Sequence, residues 1–128
     1  MTPRVFKGRP VVPGRSEGEA LVVDSISFYG DVDPSTGRLY DGRSVAGRIV
    51  VAGRSRGSTV GPYVLYSLKQ KGLEPRAILL ASRSDSVLVA GAVLAEVILV
   101  DELPRGILEV SDGARVVVER DGTVIVFS

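Results

Sequence analysis

Three short, almost wholly apolar runs restrict this chain more than any other feature: Gly47–Val51, Ala77–Ala81 and Val97–Asp101, with helical patterns between them. A strand that does not alternate apolar with polar is buried on both faces, and such strands spaced by helices pair in parallel beneath a helical cover. The first helical pattern has an apolar stripe of Tyr63, Val64, Leu65 and Leu68, with Lys69, Gln70 and Lys71 at its end and Gly72 beyond. Basic residues in a last turn and glycine after it are stop chemistry. Pro62 is tolerated only in a first turn, so the helix is expected to begin near Ser58, with Ser58 or Thr59 as its N-cap. Asp85–Ala95 reads as a second helix, buried and built of small residues.

The ends of the chain have a different character. Val5–Lys7 and Gly18–Asp24 are strand-like, and the proline- and glycine-rich segment between them is expected to form a wide loop that cannot continue a ladder. Arg115–Glu119 and Thr123–Phe127 flank Asp121-Gly122, which predicts a tight two-residue hairpin. Ser25–Ser44 shows little periodicity, yet the adjacent aromatics Phe28 and Tyr29 favour an ordered loop packed near a site. The expectation is one α/β domain over 1–128, with helix-covered strands in the middle and barrel-like strands at both ends.

With neither histidine nor cysteine, the chain has no ligands for an iron–sulfur cluster, no thiol nucleophile and no imidazole base. Sixteen basic against 15 acidic residues is too even a balance for a duplex-binding surface. No secretory apolar segment opens the chain, and the longest apolar stretch, Val87–Val100, is interrupted by Glu96 and falls short of the roughly 20 residues a bilayer demands. A cytoplasmic protein without nucleic-acid or membrane partners is expected. Five arginines (Arg38, Arg43, Arg48, Arg54, Arg56) fall in one window whose only acid is Asp41. Each guanidinium is either part of a solvated face or a fork for carboxylate or phosphate.

Two of those arginines sit in Ala52–Gly61 (A-G-R-S-R-G-S-T-V-G), between the first apolar run and the first helical pattern. A glycine-rich turn from strand to helix directs backbone N–H groups and a positive helix end towards an anion. The spacing is not that of a P-loop, because no G-K-[ST] follows. Ser58 has two readings, a simple cap or a reactive hydroxyl. A helix end contributes about 0.3 to 1 kcal/mol, of order one pKa unit at most, and cannot ionise a serine alone. Proton abstraction by Ser58 therefore also requires the guanidinium groups of Arg54 or Arg56 and a closed site, which a second polypeptide would have to complete.

Four stretches carry a family likeness: V-V-P-G-R-S-E-G-E-A-L-V at Val11–Val22, S-F-Y-G-D-V-D-P-S-T-G at Ser27–Gly37, G-R-S-R-G-S-T-V-G-P-Y-V-L-Y at Gly53–Tyr66 and A-G-A-V-L-A at Ala90–Ala95. Through them the chain resembles, over nearly its whole length, the small subunit of the aconitase X family. The resemblance implies a swivelling β/β/α domain docked on a large subunit that holds a [4Fe-4S] cluster, with no cofactor bound by this chain. It maps a proton-accepting serine onto Ser58 and implies loss of water from 5-phosphomevalonate, a small phosphorylated hydroxy acid. Arg54, Arg56, Gly57 and Thr59 are the expected substrate contacts. Tyr29 and Asp31 depart from the family pattern, which has Trp and a second Gly there. The alternatives are a subunit acting on hydroxyproline, and a non-catalytic anion-binding module in which Ser58 is only a cap.

Overall fold

The computed structural model describes residues 2–56 and 60–127. Its strands are β1 (Arg4–Lys7), β2 (Arg9–Val12), β3 (Ser16–Ile26), β4 (Ile49–Ser55), β5 (Ala77–Leu80), β6 (Ile98–Asp101), β7 (Arg115–Val118) and β8 (Thr123–Phe127). Two helices, α1 (Gly61–Gln70) and α2 (Ser86–Ala95), follow β4 and β5, and a 3-10 segment spans Arg105–Glu109.

The three apolar runs became β4, β5 and β6, paired in parallel with one another and with the second half of β3. Their lack of alternation follows from a core on each face. Val50, Ala52, Ile78, Leu80 and Leu99 point to the helices, where Leu65, Leu68, Leu88 and Ala92 meet them. Ile49, Val51, Leu79 and Val100 point the other way, onto Phe6, Ile107, Val116 and Val124. Successive side chains on a strand face opposite ways, so two cores demand an apolar residue at every position.

The long strand β3 joins two pairing patterns. Ser16–Glu19 runs antiparallel to β7, and Ala20–Ile26 runs parallel to β4. At the change-over Ala20 donates its N–H to Ala114 and accepts from Gly113, while Asp112 accepts from Val22 N–H and from Arg43. The complete strand order is β1-β8-β7-β3-β4-β5-β6-β2. Only Gly8 separates β1 from β2, so the two outermost strands are consecutive in the chain and the sheet curls almost into a barrel. A Cβ at Gly8 would stand 2.6 Å from Val100 Cγ1 and 2.8 Å from the Asp101 carbonyl oxygen, so only glycine fits that closure. A barrel-like mixed sheet under two helices is the architecture expected from the sequence.

Local departures have physical causes. The proline-rich segment after β1 is not only loop, because Arg9–Val12 pairs antiparallel with β6, with a register irregularity between Pro10 and Val12. Pro10 is tolerated because β2 is outermost and one missing donor does not interrupt a ladder beyond it. The β7–β8 connection is not a two-residue loop ending in Asp121-Gly122. Gly122 N–H bonds to Glu119 O and Gly122 takes φ +91°, leaving a turn on Arg120-Asp121 with glycine in the left-handed position after it. The connection after β3 is knit by turns, including Gly37 N–H to Asp33 O and an isolated bridge between Arg38 and Ser44. It buries Phe28, Val32 and Val45 but leaves Tyr29 exposed.

Neither helix is quite as expected. α1 starts at Gly61, later than the predicted Ser58, with Val60 as its N-cap and no side-chain cap bond. Pro62 is then the second helical residue, where no intrahelical N–H bond is required. Tyr63 leaves the predicted stripe and is 70% exposed. α2 is buried on one face only, through Leu88, Gly91, Ala92 and Ala95, while Val93 and Leu94 face solvent.

Candidate functional site

The parallel strands β4, β5 and β6 deliver their carboxyl ends to one rim, where open α/β sheets place their ligands. β4 runs further than the sequence suggests: Ala52–Ser55, expected as the start of a loop, continue the strand, with Arg54 opposite Ser25 and Ser55 opposite Ile26. Beyond Arg56 the predicted residues Gly57, Ser58 and Thr59 lie outside the described residues. Val60 leads into α1 as its N-cap.

The described residues on each side of Gly57–Thr59 are tied to the scaffold. On the entry side, Ser55 Oγ donates to Asp85 Oδ2 at 2.6 Å, and Asp85 Oδ1 accepts the Leu88 N–H at 2.8 Å as N-cap of α2. Arg56 donates its backbone N–H to Ile26 O at 2.8 Å, and its guanidinium donates to Asp31 Oδ2 at 2.5 Å. That carboxylate is itself held by Ser27 N–H at 2.9 Å. On the exit side, α2 lies against the first turn of α1. A Cβ added to Gly91 would come within 3.1 Å of Pro62 Cα, so the absence of a side chain sets that approach. A narrow cleft lined by Ser27, Phe28, Ser55, Arg56, Pro62 and Asp85 runs beneath the two sides.

The arginine cluster divides. Arg38 donates to Gly42 O, Arg43 binds Asp41, Asp112 and Val22 O, and Arg48 binds the carbonyls of Glu19 and Ala20. These three hold the connection and the change-over in β3. The hydrogen bond from Arg43 accordingly lowers the Asp41 carboxyl below its ordinary range. Arg56 is at the rim but engaged with Asp31. Arg54 is exposed and has no ion-pair partner among the described residues.

The loop between β5 and α2 supports the same rim. Ser84, next to Asp85, donates its N–H and its hydroxyl to Asp101 Oδ2, each at 2.7 Å. The Asp101 side chain is fully buried and receives a two-pronged contact from Arg9, Nε to Oδ1 and Nη2 to Oδ2, both 2.8 Å. Burial pushes the Asp101 carboxyl up, but hydrogen bonds from Arg9 and Ser84 together outweigh it and bring the group below its usual value. The sequence signalled Asp85 as the start of α2; its bond to Ser55, thirty positions away, had no local signature. Asp31 was visible only as a departure from the family pattern.

Among the described residues no group of three or more acidic, histidine or cysteine side chains could hold a metal ion, and no helix is long and apolar enough to cross a membrane. A mixed sheet curled towards a barrel, with two helices on one face and a strand-to-helix loop on its rim, defines a swivel-type domain. The chain belongs to the aconitase X swivel domain family, whose model matches residues 5–127. It is 51% identical over 120 residues to the phosphomevalonate dehydratase small subunit of Aeropyrum pernix, covering 93% of this chain and 90% of that one. The subunit of the same name from Methanothrix thermoacetophila is 42% identical over 128 residues, covering 94% and 93%. Among solved structures, the crystal structure of Thermococcus kodakaraensis aconitase X in its holo form superposes with a TM-score of 0.87 at 36% identity, over 98% of this chain and 99% of that one. The relatives carry the name of a dehydratase small subunit, and a swivel domain fits that part of a heteromeric enzyme.

Proposed function

We propose that this chain, acting as one domain, is the small subunit of a heteromeric hydro-lyase that removes water from 5-phosphomevalonate to give trans-anhydromevalonate 5-phosphate, and that Ser58 is its proton acceptor. The observation that carries the reading is the strand-to-helix connection at the carboxyl end of β4, tied to the scaffold on both sides of Ser58. In the reaction the serine oxygen takes a proton from the carbon beside the substrate carboxylate. The electron pair of that C–H bond forms the double bond as the C–O bond to the leaving hydroxyl breaks. A serine oxygen becomes basic enough only beside positive charge and away from water. Arg54 and Arg56 supply the charge; the large subunit supplies the enclosure.

The substrate has a carboxylate at one end and a phosphate at the other, both suited to a guanidinium fork. Arg54 is free to take one of them, and Arg56 takes the other by exchanging Asp31 for substrate. The backbone N–H groups of Gly57 and Thr59 are further donors in this reading. A [4Fe-4S] cluster does not fit this chain, which has no cysteine to ligate it; in this reading the large subunit holds it. Exposed Tyr63, Tyr66, Val93 and Leu94 on the two helices are consistent with a surface that a partner covers.

A second reading has its own observation. With Arg56 engaged by Asp31, only Arg54 of the two has no ion-pair partner among the described residues, which suits a substrate with a single anionic group such as hydroxyproline. Co-purification with the large subunit and assay of both substrates separates the two. The proposal expects water loss from 5-phosphomevalonate by the complex and none by this chain alone. Turnover of hydroxyproline with none of 5-phosphomevalonate would refute the substrate assignment.

A further inference from the structure

We propose that Arg83 is a specificity-determining residue that joins Arg54 in holding the phosphate of the substrate, an inference that rests on the reading of Arg54 as a substrate contact. The two arginines stand at the carboxyl ends of neighbouring parallel strands, Arg54 in the last turn of side chains on β4 and Arg83 just beyond β5. Cross-links bracket them on both sides. Before them, Ala81 donates its N–H to Ala52 O at 3.0 Å; after them, Ser55 Oγ donates to Asp85 Oδ2 at 2.6 Å. Each arginine is two residues past the first cross-link, at most about 7 Å of chain. The two segments therefore stay side by side over the stretch that carries both guanidinium groups, and both side chains are exposed there.

Neither cation is committed to a strong partner. Arg54 has no ion-pair partner among the described residues, and Arg83 reaches only Glu102, at 3.9 Å with side chains 71% and 47% exposed. So long and exposed a contact contributes little. Glu102 is shared with Arg9, 3.5 Å away. Asp85, two positions from Arg83, does not compete, because Ser55 takes one of its oxygens and the Leu88 N–H the other. Arg56, by contrast, must first give up Asp31. A phosphate monoester carries a charge of about −1.5 to −2 at neutral pH and three acceptor oxygens, more than one guanidinium fork can match. Two uncommitted forks suit the phosphate, which leaves Arg56 for the singly charged carboxylate.

The test uses the complete two-subunit enzyme with Arg83→Ala, Arg83→Lys or Arg54→Ala, and inorganic phosphate as a competitive inhibitor that probes the anion site alone. Arg76→Ala is the control, since it removes an exposed arginine just before the opposite end of β5. The inference expects Arg83→Ala to raise both KM for 5-phosphomevalonate and the inhibition constant for phosphate by about 10- to 100-fold, the loss of a charge-assisted contact, with kcat within about two-fold. Arg83→Lys should fall between, because it keeps the charge and loses the fork. Arg76→Ala should change neither constant. If Arg54→Ala raises KM and Arg83→Ala leaves it within about two-fold, the inference is overturned and the Arg54 reading stands. A raised KM with an unchanged inhibition constant also overturns it, as does an equal effect from Arg76→Ala or an Arg83→Ala subunit that no longer assembles. Unchanged constants in Arg54→Ala and Arg83→Ala alike, or a complex that does not dehydrate 5-phosphomevalonate, remove the inference and the reading together.

Discussion

Two arginine–aspartate pairs border the same rim, and they are built differently. Arg9 and Asp101 meet through two parallel hydrogen bonds, the carboxylate is sealed from solvent, and Ser84 fills its remaining acceptor capacity. Arg56 reaches Asp31 through a single guanidinium nitrogen, with side chains 49% and 25% exposed. The first pair cannot release Arg9 without stranding the buried Asp101 carboxylate; the second can exchange its carboxylate for another anion in water. Fixed charge therefore supports the rim, and exchangeable charge lies beside the loop expected to meet substrate.

The contrast is broken most forcefully at Asp101. Asp101→Ala should lower unfolding free energy by about 3 kcal/mol, measured by urea denaturation, because it removes the partner of four donor groups and leaves Ser84 N–H unmatched. A loss of under about 1 kcal/mol would place Arg9–Asp101 in the same class as Arg56–Asp31. Acid tests the same pair more gently. Because the folded Asp101 carboxyl lies below its ordinary value, its contribution is complete above the unfolded pKa of about 4 and disappears as the pH falls through the depressed one. The acid limb of the stability curve should therefore flatten in Asp101→Asn. In the β7–β8 turn, Asp121 is lowered to about 2, chiefly by hydrogen bonds from Thr123 and then Lys7, and an NMR titration should find it ionised well below pH 4.

The smallest effect is expected at the exchangeable pair. Asp31→Asn keeps an oxygen for Ser27 N–H but removes the charge, and should change stability by less than about 1 kcal/mol. With Arg56 released, KM for 5-phosphomevalonate in the complex should fall by about three-fold, equivalent to about 0.65 kcal/mol of recovered binding. An unchanged KM would make Arg56 another structural cation and return the anion-binding role to Arg54 alone.

The sequence was most informative where burial leaves no freedom. Val50 and Val51 serve opposite cores, so the absence of alternation in their run was itself the signal for a doubly covered strand. Asp85 was legible because a cap is a local device. β2 was missed because Pro10 reads as a ladder breaker unless the strand is known to be outermost, and strand order is a property of the whole sheet. The arginine window looked like one feature, yet Arg43 and Arg48 belong to the change-over in β3 and only Arg54 and Arg56 stand at the rim. Their division depends on Asp112 and Asp31, acids remote in sequence from the residues they restrain. The Ser58 reading came from a motif, since strand-like run, glycines, hydroxyls and helical pattern are contiguous in the sequence there, whereas the Ser55–Asp85 contact depends on a strand end and a helix start thirty positions apart coming together.

The direct measurement is the steady-state rate of the two-subunit complex carrying Ser58→Ala, with assembly and thermal stability recorded alongside. The account predicts a kcat lowered by about 100- to 10,000-fold, the range of a lost general base, in a complex that still forms and melts as before. Turnover close to that of the unmodified complex would contradict it and leave Ser58 without a catalytic role.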